Sequence, residues 1–438
     1  MRRLTAFSNV LMQRYLPDPF VFVLILTFVV FIGALLVTPS SPLEIVQYWG
    51  DGFWSLLAFG MQMVLVLVTG FVLASTPLVK KGLGKMASWS KSAPSAILLV
   101  TIVSLVASWV NWGFGLVIGA LFAKELAKRV PKVDYPLLIA SAYSGFVIWH
   151  AGFSGSIPLT IATEGHFAEN LIGLIPTSET IFASYNLIIL AVLFFLIPLL
   201  NVWMLPKEKD RVIVDTAKLT SSSTPSPSEL SKRTPAERLE WSPWLSIIAG
   251  ALGLIYLSIY FVDDGSLNLN IVNFLFLILG LLLHFRPMSF LHSVQEAVKG
   301  AGGIIVQFPF YAGIMGIMTS SGLAVWLSEV FVSISNETTF YMFAFFSAGI
   351  VNFFVPSGGG QWAVQAPIML EAALQMNADV AKTSMAVAWG DAWTNMIQPF
   401  WALPALAIAG LRAKDIMGYC VVILMGSGIV ISLGLLLL

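Results

Sequence analysis

Two apolar stretches of this chain are interrupted in the same way, about 240 positions apart, a spacing that suggests an internal repeat. The first reads Ser108-Trp109-Val110-Asn111-Trp112-Gly113-Phe114-Gly115. The second reads Gly349-Ile350-Val351-Asn352-Phe353-Phe354-Val355-Pro356-Ser357-Gly358-Gly359-Gly360. Each places an Asn, then aromatics, then a glycine-rich break inside a hydrophobic run. Breaks at membrane depth free backbone N–H and C=O groups, which must then find partners in protein or in a wet cavity. A matched pair of broken segments in two halves of a chain points to a binding site between inverted repeats.

A membrane setting follows from composition. The chain is 58% hydrophobic and 11% charged, with mean hydropathy +0.87. Globular domains carry roughly a quarter charged residues. Net charge is zero, which gives no reason to expect a nucleic acid partner. One cysteine, Cys420, excludes an internal disulfide, and the four histidines show no metal-ligand spacing.

A bilayer span needs about 20 mostly apolar residues. Plain candidates are Phe20–Thr38, Phe53–Ser75, Ile181–Met204, Trp241–Val262, Leu269–His284, Gly302–Ser320 and Asp415–Leu438. Interrupted stretches occupy Ala93–Ala123, Tyr135–Thr163, Thr339–Met376 and Ala381–Leu411. The loops at 39–51, 164–180, 263–268 and 331–338 contain no Lys or Arg, whereas the loops between them are basic. Placing basic loops in the cytoplasm works throughout only if 93–126 and 340–376 are re-entrant hairpins. The first opens from the cytoplasm, the second from outside. The expected fold is therefore an all-α integral membrane protein of two inverted repeats, with about nine full spans plus the two hairpins and a cytoplasmic N-terminus. Segment 1–18 is expected at the membrane surface. The first repeat covers 19–204, and 205–240 reads as a disordered cytoplasmic linker rich in Ser and Pro. A linking span, 241–262, leads to the second repeat, 263–438. Equivalent points are offset by 241 to 247 positions.

The glycines of Ser357-Gly358-Gly359-Gly360-Gln361 let a ligand approach the backbone. A helix opening at Gln361 would turn N–H groups towards an anion; a plain tight turn is the alternative. Asn111, with Gly113 and Gly115, suits a carboxylate or the ordering of a hairpin tip. Ser154, Gly155 and Ser156 break the next span, where hydroxyls and freed carbonyls suit Na⁺ or a carboxylate, or simply close packing. In the second half, Asn352, Thr394 and Asn395 complete the set of candidate substrate-binding residues. Asp391 is a carboxylate inside a span, which marks a pathway or coupling role. It would carry a proton, join a cation site or pair with a nearby base. Its place in the outer third also allows contact with water or with Lys382. Ion coupling is thus assigned to Asp391, Asn111, Ser154 and Ser357. His150 reads as a packing histidine or a group that titrates near neutral pH. No other metal and no organic cofactor is implied.

These stretches hold almost no Lys or Arg at membrane depth, so a dianion lacks a base to meet it. One anionic head with a short apolar tail fits best.

On Leu16-Pro17-Asp18-Pro19, Trp49-Gly50-Asp51-Gly52-Phe53-Trp54, Asn111-Trp112-Gly113-Phe114-Gly115, Gly152-Phe153-Ser154-Gly155-Ser156, Val355-Pro356-Ser357-Gly358-Gly359-Gly360 and Gln398-Pro399-Phe400-Trp401-Ala402-Leu403-Pro404-Ala405, the chain resembles the short-chain fatty acid transporter family along its full length. The resemblance implies a bacterial inner-membrane symporter of small monocarboxylates such as butyrate or acetoacetate. It also implies inverted repeats, two hairpins, H⁺ or Na⁺ as coupling ion and a homodimeric scaffold. His150 is not part of that family's pattern. Other readings stay open: a monovalent cation/proton antiporter, with Asp391 its one strong titratable candidate, or a carrier of a dicarboxylate or amino acid. An intramembrane enzyme would need a cluster of reactive side chains, and the sequence shows none.

Overall fold

The computed structural model describes residues 19–215, 234–263, 265–336, 338–352 and 357–438. The N-terminal segment 1–18, the middle of the linker and positions 353–356 of the second break lie outside the described residues. Every regular element described is helical.

In chain order the first half contains α1 (Pro19–Val37), α2 (Pro42–Gly52), α3 (Leu57–Ala74), α4 (Pro77–Ala87), α5 (Ala93–Val110), α6 (Trp112–Arg129) and α7 (Tyr135–Ser144). A 3₁₀ segment (Gly145–Ala151), α8 (Ser156–Ile161), α9 (Glu169–Ile172) and α10 (Ser184–Trp203) complete it. The second half follows as α11 (Pro235–Glu240), α12 (Pro243–Val262), α13 (Leu269–His284), α14 (Pro287–Val298), α15 (Gly302–Ser320) and α16 (Leu323–Ile334). It closes with α17 (Phe340–Asn352), α18 (Gly358–Gln375), α19 (Val380–Thr394), α20 (Pro399–Ala409) and α21 (Ala413–Leu437).

Among the described residues, seven helical stretches are long and apolar enough to cross a membrane. Their burial separates them into layers. The window in Tyr135–Ile161 is 94% buried, against 22% for Pro235–Val262. The broken span is thus the protein's centre, and α12 faces the surroundings. The 3₁₀ segment packs on α5 from its own half and on α19 from the other. Likewise α8 packs on α18 and α19, and α6 on α20. The interrupted elements of both halves therefore meet each other, and the unbroken helices surround them.

The breaks have local causes. α5 starts on a capping box, with Ser92 accepting from Ser95 N–H and Pro in its first turn. It stops where Asn111 turns extended, at φ −157 and ψ 127. The same Asn111 then caps α6. In the second half Ser357 is likewise extended and caps α18 by accepting the Gly360 N–H.

Of four shorter helices, α2, α4 and α14 replace segments read as loops, and α16 runs into the loop read at 331–338. Proline in the first turn opens three of them, α2, α4 and α14. The linker is also less featureless than its composition suggests. Its first residues form a strap: Val212 N–H donates to Asp134 Oδ2 at 2.8 Å, and Tyr135 N–H donates to Val212 O at 2.9 Å. Lys132 donates to the Glu208 carboxylate at 2.9 Å and holds it below its usual pKa range. At its other end α11 begins on a Thr234–Glu237 capping box. Backbone partners and caps order both ends, where sequence reading expected disorder throughout.

Candidate functional site

The first break is tied to the first broken span. Asn111 Oδ1 accepts the Phe114 N–H at 2.9 Å, and Ser154 Oγ accepts the Trp112 N–H at 2.8 Å. Phe153 N–H donates to Trp109 O at 2.8 Å. Gly113 faces the α3 backbone, where an added Cβ would lie 3.1 Å from Leu67 O. Gly115 faces Ser108, and Gly155 faces the His150 carbonyl. Close backbone approach thus explains all three glycines.

The second break is tied to the second broken span. Asn352 Nδ2 donates to Asp391 O at 2.9 Å, Thr394 Oγ1 at 2.9 Å and Asn395 Oδ1 at 2.8 Å. Gln361 Nε2 donates to Ala348 O and to Gln365 Oε1. The two halves are then joined. Tyr143 donates to Asn395 O at 2.6 Å, and His150 Nδ1 stands 3.0 Å from Asp391 Oδ2.

In front of these networks lies a crevice lined by Met63, Trp112, Phe146, Trp149, Ser156, Ile304, Ser357, Gly358, Gly359 and Trp401. It draws on both breaks, on the first broken span, and on α3 and α15. In this conformation it is nearly closed, with about 10 Å³ open to the centre of a water-sized sphere. That is room for about one water. Its polar side is Ser156 and the start of α18; the rest is aromatic and aliphatic. Trp112 meets Trp149 edge-on at 5.9 Å and Trp401 at 5.2 Å, and Phe146 stacks on Trp149 at 5.6 Å. Among the described residues, none that lines it is a Lys or Arg.

Of the expected binding residues, Ser156, Ser357, Gly358 and Gly359 line this crevice. Asn111, Ser154, Asn352, Gln361, Thr394 and Asn395 stand behind it as buried supports. Gly113, Gly115, Gly155 and Gly360 provide close packing; a Cβ on Gly360 would lie 2.5 Å from the Tyr311 ring. Three expectations change. First, α18 opens at Gly358, so the first-turn N–H groups belong to Gly358 and Gly359 rather than to Gln361. Second, the side-chain oxygens of Asn111, Ser154 and Ser357 each accept a backbone N–H and so hold the breaks in shape. Among the described residues no group of His, Cys, Asp and Glu gathers to hold a metal. Third, Asp391 has no exposed surface and pairs with His150, while Lys382 lies 4.3 Å over the Tyr341 ring. Its full burial and its pairing with His150 replace the expected contact with water or Lys382.

His150 is the residue that sequence reasoning undervalued. A signal for it exists. It stands 241 positions before Asp391, the offset that also relates Asn111 to Asn352 and Ser154 to Asn395.

Comparison with known proteins settles the family. The sequence matches the short-chain fatty acid transporter family over residues 1–438. The chain belongs to the short-chain fatty acid transporter family. A relative from Escherichia coli (strain K12), provisionally described as a short-chain fatty acid transporter, is 48% identical over 435 residues and 99% of both chains. One from Haemophilus influenzae, described in the same provisional way, is 44% identical over 442 residues, again 99% of each. In fold, the chain is similar to the crystal structure of the Alcanivorax borkumensis YdaH transporter, which has an unusual topology. The TM-score is 0.59 at 14% identity, over 95% of this chain and 98% of that one. The family chain is thus an all-helical, multi-pass membrane protein of transporter lineage.

Proposed function

We propose that this chain is a secondary active transporter that moves small monocarboxylates, such as butyrate or acetoacetate, across the bacterial inner membrane by alternating access. An H⁺ or Na⁺ gradient drives it. The observation that carries this reading is the start of α18 on the crevice wall. Ser357 caps the helix and Gly358 and Gly359 supply first-turn N–H groups, with no Cβ to keep a carboxylate away. The opposite wall of Met63, Phe146, Ile304 and tryptophan rings suits a short acyl tail. A second carboxylate would meet no base there, which argues against dicarboxylates. The test is uptake of radiolabelled butyrate by proteoliposomes under separately imposed pH and Na⁺ gradients. Gradient-driven accumulation that acetoacetate suppresses and succinate does not is the expected result. Equal competition by succinate would sink the monocarboxylate reading.

The pathway is proposed to run between two inverted halves, with 93–126 and 340–376 as re-entrant hairpins and the N-terminus in the cytoplasm. Support comes from the shared design of the breaks, each with an extended, helix-capping residue, and from their meeting at the crevice. Cys420 is buried, so a single introduced cysteine reports cleanly. A cysteine replacing Glu169 is expected to react with an impermeant reagent from outside, and one replacing Lys209 only from the cytoplasm. Reaction of both from the same side removes the inverted arrangement.

A further inference from the structure

Two titratable side chains with no exposed surface meet where the halves join: His150 at the end of the 3₁₀ segment and Asp391 on α19. Nδ1 of His150 lies 3.0 Å from Asp391 Oδ2, and Nε2 accepts the Ile157 N–H at 3.0 Å. The second contact decides the first. A ring nitrogen that accepts carries no proton, so the neutral ring holds its proton on Nδ1 and donates it to the carboxylate. Asp391 Oδ1 is buried and has no hydrogen-bond partner among the described residues.

The ring also touches the crevice wall. A Cβ on Gly358 would lie 2.8 Å from His150 Cε1, so the imidazole edge rests on the first residue of α18. On its other nitrogen, Ile157 follows Ser156 in the first turn of α8, and Ser156 lines the crevice. One imidazole therefore contacts Asp391 and both polar sides of the crevice.

Among the described residues, the surroundings offer no other charge to balance the pair. From α17, Asn352 bonds the Asp391 backbone oxygen rather than its carboxylate. From α18, Gln361 turns to Ala348 and Gln365, and Glu371 sits about 15 Å further along that helix. α8 contributes only the hydroxyls of Ser156 and Thr160, the second of which bonds Ser156 O. From α7, the Tyr143 hydroxyl donates to Asn395 O, and Cys420 of α21 is a buried thiol. On α19 itself, Lys382 is at the far end with Asp379, over Tyr341. An ionised Asp391 beside a neutral His150 thus leaves one uncompensated negative charge, and one added proton removes it. That proton has two places to go. On Asp391 Oδ1 it disturbs no existing bond. On His150 Nε2 it turns an acceptor into a donor facing the Ile157 N–H, and the turn at Gly155–Ile157 must open.

We infer that the His150–Asp391 pair carries the proton that travels with the substrate anion, and that His150 transmits its protonation to the crevice through Ile157 and Gly358. This rests on the monocarboxylate reading above and selects the proton over Na⁺. One monoanion and one proton cross together without net charge. His150 is a positioning residue in this scheme; Asp391 holds the charge.

The test uses the full chain in proteoliposomes with radiolabelled butyrate. Wild type is expected to accumulate butyrate down a pH gradient without Na⁺. Asp391→Asn is expected to lose accumulation by about tenfold or more, with butyrate exchange across the membrane falling several-fold less, because Asn keeps size and hydrogen bonding but holds no proton. His150→Gln places an amide oxygen near Nε2 and keeps the acceptor for Ile157, whereas His150→Asn keeps a donor near Nδ1 for Asp391. Both are expected to lose the pH dependence of exchange, the first because the link to Asp391 is cut and the second because the link to Ile157 is cut. Accumulation by Asp391→Asn at the wild-type level, or wild-type accumulation that follows Na⁺ and ignores pH, overturns the inference. A wild type that neither accumulates nor exchanges butyrate overturns the substrate reading instead. In that event infrared titration of the purified protein still decides. A carboxyl band that appears on acidification in wild type and is missing from Asp391→Asn supports the pair as a proton carrier. No difference between the two spectra removes it.

Discussion

Gly115→Val is expected to remove folded protein from the membrane. An added Cβ would lie 2.5 Å from the Cα and 2.6 Å from the N of Ser108. Both neighbours are backbone atoms of Ser108, on the arm opposite Gly115, so no rotamer change relieves the contact. The arms cannot part either, because Phe153 N–H is held on Trp109 O and Ser154 on Trp112 N–H. Overpacking typically costs about 1–3 kcal/mol where side chains can shift. With two backbones opposed, the upper end of that range is the least to expect. The yield of monodisperse protein after detergent extraction, followed by thermal unfolding, measures it. Gly82→Ala is the control: nothing lies within 4 Å of its Cβ, and it sits exposed in α4. Alanine there is expected to be neutral or to stabilise by about 0.5–1 kcal/mol. Wild-type yield of the valine variant would show that the two arms do not pack as described.

Gly359→Val should separate function from folding. The Cβ at this position meets the Phe59 ring at 2.8 and 3.0 Å and Met63 Cγ at 3.3 Å. These are side-chain ends that can move, so the fold survives. The valine methyls then stand where the carboxylate would approach the first turn of α18, and the displaced Met63 narrows the opposite wall. Butyrate transport is expected to fall by about tenfold or more, the loss of one well-made charged contact. Extraction yield should stay near wild type. Normal transport by this variant would move the substrate site away from Gly358 and Gly359.

The positions of the breaks were legible in the sequence because physics leaves few ways to interrupt a membrane helix. Asn111, Gly155, Ser357 and Gln398 fall between helices, with Pro158, Gly358 and Pro399 in the first turns that follow. Gly302–Ser320 and Leu269–His284 begin and end where apolarity alone placed them. Surface helices were harder to read, since α4 carries Lys80, Lys81 and Lys85 and looks like a basic loop. Its start was nevertheless written as Thr76 before Pro77, a capping residue and a first-turn proline. The polar residues were recognised as important, and the structure adds that Asn111, Ser154 and Ser357 each take a stranded backbone N–H. An Asn or Ser beside a broken helix serves an anion or a stranded N–H equally well, and only distance tells them apart. Asp391 was expected to meet water or Lys382, because loop charges carry no information on what packs around a side chain. Its partner lies in the other half, 241 positions away, where neither local pattern nor composition connects them.

The stretch from Tyr135 to Ile161 has almost no lipid-facing side, and its mean hydropathy, 1.3, is the lowest of the seven candidate spans. It is poorly suited to wait alone in hydrocarbon during synthesis. Its partners on α18 and α19 emerge from the ribosome some two hundred residues later. Assembly of the centre is therefore a late event that needs the whole chain. Until then, this segment must be sheltered by α5 and α6 or held at the insertion machinery. Biogenesis, rather than transport, sets the time at which the two halves first meet.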